Sequence, residues 1–78
     1  MNLQIVYINN DNDIFLKKCA FIKRLEKNNI LFSDRLISNK TGLIFVTIRA
    51  DLVPDFMANN KDLLKLYDNG NKKAVVIA

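Results

Sequence analysis

The stretch "ILFSDRLISNKTGLIFVTIR", residues 30–49, decides the architecture. Its two halves each read as a β-strand, rich in branched and aromatic residues, and the short "NKTG" turn lies between them. A parallel connection needs a dozen or more residues, so so short a link makes an antiparallel hairpin. The first half, "ILFSDRLIS", is interrupted by the polar Ser33, Asp34 and Arg35, a pattern that belongs at a sheet edge. The second half, "LIFVTIR" at 43–49, alternates cleanly and belongs inside the sheet.

Working outward, "LQIVYI" at 3–8 is apolar on both faces and is stopped by "NNDND", as a central strand would be. Helical spacing then predicts an amphipathic helix over roughly 13–28, with Asp11 and Asp13 as candidate caps. Ile14, Phe15, Cys19, Ile22 and Leu25 fall on its inward arc, and Lys17, Arg24, Lys27 and Asn28 fall opposite. Beyond the hairpin, "DLVPDFMANNKDLLKLYDNG" reads as a second helical region. Asp51 is its cap, Pro54 lies in its first turn, and Gly70 follows its end. The pair Asn59–Asn60 offers a place for it to break in two. "KAVVIA" closes the chain as a fourth strand.

The order βαββαβ predicts one α+β domain over 1–78, a ferredoxin-like fold with a four-stranded antiparallel sheet and two helices on one face. The short hairpin loop disfavours a doubly wound parallel sheet. A thioredoxin-like fold is the runner-up, but no cysteine pair follows the first strand.

Composition narrows the chemistry. Seventy-eight residues, half of them apolar, suffice for one small core. The apolar runs are far shorter than the roughly 20 residues that cross a bilayer, and no signal peptide opens the chain. With one cysteine and no histidine, neither an internal disulfide nor the usual zinc sets can form, and serine or cysteine triads lack their base. These features predict a cytoplasmic protein without metal or cofactor. The carboxylates Asp34, Asp51 and Asp55 form no pair suited to hydrolysis; Asp11 and Asp13, after the first strand, are read more simply as helix caps than as nuclease residues. The expectation is therefore a non-enzymatic binding protein. A net charge of +4, from twelve Lys and Arg against eight Asp and Glu, modestly favours a polyanionic partner. Eleven asparagines point to an AT-rich genome.

Which face each strand presents then carries the functional reading. In the third strand Ile44, Val46 and Ile48 suit the helix side, which turns Leu43, Phe45 and Arg49 outward. In the first strand, Val6 and Ile8 with Gln4 are assigned to the core, and Leu3, Ile5 and Tyr7 to the open face beside Phe45. Two adjacent aromatics with arginine nearby make a stacking platform for single-stranded nucleic acid. The same apolar patch suits a protein partner or a homodimer through the open sheet face.

The residues resemble the RNA recognition motif (RRM) family. "VYINN", Val6 to Asn10, is similar to its first-strand motif, and "GLIFVTI", Gly42 to Ile48, to its third-strand motif, with Gly42, Phe45 and Val46 matching outright. The "YDNG" before the last strand is similar to the family's "NG" after its second helix. The resemblance implies that Tyr7 and Phe45 stack RNA bases. It departs from the pattern at Leu43, which stands where a second aromatic is expected, at Thr41, which stands at the basic position, and at Ile44, which replaces a small residue. The expected site is then Tyr7, Phe45 and Leu43, with Arg49, Arg35 and Lys73 on phosphates. The alternative is a small adaptor or inhibitor of the phage or plasmid type, which docks on a host protein through the same apolar face or an edge strand.

Overall fold

A computed structural model describes the whole chain, Met1–Ala78. The elements run β1 (Asn2–Ile8), α1 (Asn12–Lys27), β2 (Leu31–Leu36), β3 (Thr41–Thr47), a short 3-10 turn (Ala50–Leu52), α2 (Val53–Asn59), β4 (Leu64–Asn69) and β5 (Lys72–Ile77). The five strands form one mixed sheet in the order β2-β3-β1-β5-β4. The β1–β3, β2–β3 and β4–β5 pairs are antiparallel, and β1–β5 is parallel. The fold is α+β with two helices, as expected, but the sheet is neither four-stranded nor wholly antiparallel.

The difference arises at Asn60. Its buried amide donates from Nδ2 to the Phe56 carbonyl at 2.8 Å, and its own carbonyl accepts from the Leu63 and Leu64 amides. These bonds close α2 after seven residues. The chain then continues extended through "LKLYDN", where Leu64 packs inward opposite Ile77. The turn to β5 is the two-residue loop Gly70–Asn71. Gly70, with φ +63, stands at the first loop position, as in a type II′ hairpin, rather than past the end of a helix. Leu64 and Leu66 therefore follow a period of two that helical spacing had concealed.

Helix α1 follows expectation more closely. Asp11 caps it by accepting from the Ile14 amide at 2.8 Å. At the other end, Asn29 adopts the left-handed conformation (φ 55), and the Ile30 and Asn29 amides donate to Leu25 and Glu26, a Schellman closure. Its buried residues are Phe21 and Leu25; Phe15, expected inside, is exposed, and Cys19 is half-buried. Asp51 does not cap α2, whose N-cap, Leu52, makes no side-chain bond; Asp51 pairs with Arg49 instead.

The core lies on one side of the sheet. Ile5 and Tyr7 of β1, Ile44 and Val46 of β3, Leu64 of β4 and Ile77 of β5 pack with Phe21, Leu25, Phe56 and Leu63. Phe21 meets Phe56 edge-on, ring centroids 6.0 Å apart. Tyr7 is 1% exposed, and Val6 and Ile8 face the other way, which corrects the facing expected of β1. The cause is the register: Tyr7 pairs directly with Gly42. With no side chain there, the phenol ring lies across the glycine, and a Cβ at position 42 would fall inside that ring.

Gly42→Ala is expected to destabilise the fold by about 3 kcal/mol, the upper part of the range for overpacking, measured by urea denaturation. A cost under about 1 kcal/mol would contradict this account of how β1 is registered.

Candidate functional site

The strand alternation gives the uncovered face a definite composition. It carries Leu31, Ser33 and Arg35 from β2 and Thr41, Leu43, Phe45 and Thr47 from β3. From β1 it carries Asn2, Gln4, Val6 and Ile8; from β5, Lys72, Ala74 and Val76; and from β4, Lys65, Tyr67 and Asn69. The register aligns these in rows across the strands. One row runs Ser33, Phe45, Gln4, Ala74, Tyr67, and the next runs Arg35, Leu43, Val6, Val76, Lys65.

Two properties of this face stand out physically. Its strands hold three cations, Arg35, Lys65 and Lys72, and no carboxylate, because both strand carboxylates, Asp34 and Asp68, alternate onto the helix side. It also holds two aromatics in one row, Phe45 on β3 and Tyr67 on the edge strand β4. Three strand spacings separate them, roughly 14 Å. Tyr67 is 58% exposed, and the Arg35 guanidinium sits 6.0 Å from the Phe45 ring centroid, within cation–π range. A groove of about 470 Å³ opens beside Phe45, lined also by Asn2, Arg35 and Thr47. A second, of about 370 Å³, is bordered by Tyr67, Val6, Ile8 and Val76, with Asp11 of the β1–α1 loop at its rim.

The expected site residues divide accordingly. Phe45, Leu43 and Arg35 share the open face. Tyr7 does not: it belongs to the core. Arg49 lies past the end of β3, held bidentate by Asp51 at 2.7 and 3.1 Å, so its charge is already compensated. Lys73 alternates onto the opposite face, across from Asp68. Tyr67, Lys65 and Lys72 join the face instead. Sequence reasoning passed over Tyr67 and Lys65 by placing them in a helix; the dipeptide Gly70–Asn71, flanked by extended segments, is the hairpin signal that locates them.

Tyr7 has its own polar partner on the helix side. Its hydroxyl donates to Asp34 Oδ1 at 2.6 Å, and Lys18 lies 3.6 Å from the other carboxylate oxygen and 5.3 Å from the ring centroid. Burial, then the hydrogen bond to Asp34 and the charge of that carboxylate, hold the phenol well above the ordinary tyrosine range near pH 10. The neutral phenol is thus the form that folding favours. Its contribution to stability is present at neutral pH and is lost as the pH climbs above about 10.

No helix is long and apolar enough to cross a membrane, and no group of His, Cys, Asp and Glu is clustered to hold a metal ion. Comparison with family models, with curated proteins and with solved structures gave no significant match.

Tyr7→Phe is expected to cost about 1–2 kcal/mol at neutral pH, since Asp34 loses its donor. The variant should also be less sensitive than the parent to pH above 10, as followed by circular dichroism across an alkaline titration. Equal alkaline sensitivity in the two proteins would remove Tyr7 as its source.

Proposed function

We propose that this chain is a small non-enzymatic RNA-binding module on a ferredoxin-like plan, its last strand replaced by the β4–β5 hairpin, that takes single-stranded RNA across the open face of the sheet. The observation that supports this reading most directly is the coincidence, on the strands of one uncovered face, of two aromatics in one row, three cations and no carboxylate. Bases stack on exposed rings with little regard to sequence, at roughly 1–3 kcal/mol each, and phosphates seek cations. Phe45 and Tyr67 are the stacking residues. Leu43, Val6 and Val76 form an apolar floor between the cations Arg35 and Lys65 at the two ends of their row. The Arg35 guanidinium, already close to Phe45, adds a second plane for stacking.

A second reading is favoured by a different observation. Leu31, Leu36 and Ile37, in and just after the edge strand β2, are exposed, as is Ile8 on the open face. Such apolar surface suits a protein partner or a second copy of the chain. Under that reading the chain is an adaptor or inhibitor, and the partner would be recovered intact after nuclease treatment.

Fluorescence anisotropy with short single-stranded RNA tests the first reading. Phe45→Ala and Tyr67→Ala are each expected to weaken binding by about 5- to 150-fold, the equivalent of 1–3 kcal/mol. Three phosphate contacts at about 0.7 each predict a slope near −2 for log affinity against log salt. Arg49→Ala and Lys73→Ala should leave affinity within about twofold. Absence of RNA binding by a monomer, or a homodimer that buries Phe45, would overturn the reading.

A further inference from the structure

The centre of the open face carries one residue whose chemistry stacking and charge do not explain. Gln4 occupies the middle of β1, flanked by Phe45 on β3 and, one step before the Ile5–Val75 pair, by Ala74 on β5. Its side chain is exposed and takes part in no hydrogen bond within the chain. Val6 and Ile8, the next residues of its strand on this face, are apolar. Its polar neighbour Asn2 is engaged, because Asn2 Oδ1 accepts from the Thr47 hydroxyl at 3.0 Å. Ala74 is the smallest side chain on the face, so the row dips between Phe45 and Tyr67, with the Gln4 amide standing at that dip.

A carboxamide presents an acceptor and donors side by side in one plane. That pattern matches the edge of a nucleobase, and a bidentate pair of this kind distinguishes one base from another, whereas a ring face accepts all of them. Resting on the RNA reading above, we propose that Gln4 is the specificity-determining residue of the face, reading the edge of a base held between Phe45 and Tyr67. Phe45, Tyr67 and the cations then supply affinity common to all sequences, and Gln4 supplies the difference among them.

Binding of oligo(A), oligo(C) and oligo(U) of eight nucleotides, measured at one fixed salt concentration, tests this. The parent protein is expected to prefer one of the three by about tenfold or more. Gln4→Ala should compress that preference to within about twofold while leaving the weakest oligomer's affinity and the salt slope unchanged. Gln4→Glu, which keeps the shape but loses the donors, should also lose the preference. Because Gln4 is exposed and unbonded, both variants should melt with the parent. A parent protein that binds all three equally, or a Gln4→Ala variant that keeps the preference, would overturn the proposal while leaving RNA binding intact. Failure of the parent to bind any of them would overturn the RNA reading itself.

Discussion

The rest of the molecule depends on the seating of the Tyr7 ring across Gly42. Strand side chains alternate with a period of two, so fixing one residue of β1 fixes them all. Once Tyr7 lies over the glycine, Leu3 and Ile5 must follow it toward the helices, and Gln4, Val6 and Ile8 must face the other way. The opposite register would place a phenol over a bulkier partner and bury the Gln4 amide without a hydrogen bond, at a cost of about 1–3 kcal/mol. The bond from the Tyr7 hydroxyl to Asp34 then ties β1 to a strand two places away, and Lys18 brings α1 onto the same point. One aromatic side chain thus sets the register of three strands and the position of a helix.

The same constraint sorts the charges. Because the register carries Asp34 inward, the carboxylate that interrupts β2 meets a phenol and an ammonium group rather than solvent on the open side. Arg35, the next residue, is turned outward beside Phe45. A sequence with only a modest cationic excess overall thereby presents one face whose strand charges are all positive. The functional reading rests on this sorting more than on net charge.

Much of this was legible in the sequence, and the failures have identifiable causes. The hairpin of β2 and β3, the edge position of β2, the capped first helix and the outward row of β3 all follow from strong local signals: alternation, a polar interruption and an aspartate cap. Strand β1 is apolar on both faces, so its own pattern contains no facing information, and the deciding residue, Gly42, lies 35 positions away from Tyr7. The second miss has the opposite character. In "DFMANNKDLLKLYDNG" apolar residues recur at helical spacing throughout, and only the hydrogen bonds of Asn60 end the helix early. Both misreadings bear on the site: the pattern of β1 alone puts Tyr7 on a face it does not reach, and helical spacing conceals Tyr67, which lies eight residues past the end of α2.

The strand order has a kinetic side as well. β1 precedes the other four strands and is central in space, yet one of its two neighbours, β5, follows all of them in sequence. Residues 1–47 contain β2, β3, β1 and α1 with the Tyr7 contacts complete, whereas β1 keeps one edge unpaired until the β4–β5 hairpin arrives. Closing that parallel pair joins residues about seventy positions apart, Ile5 with Val75. Such distant contacts slow folding relative to locally connected helical proteins. During synthesis the half-built sheet exposes an apolar edge at β1, and its protection waits until β5 has emerged.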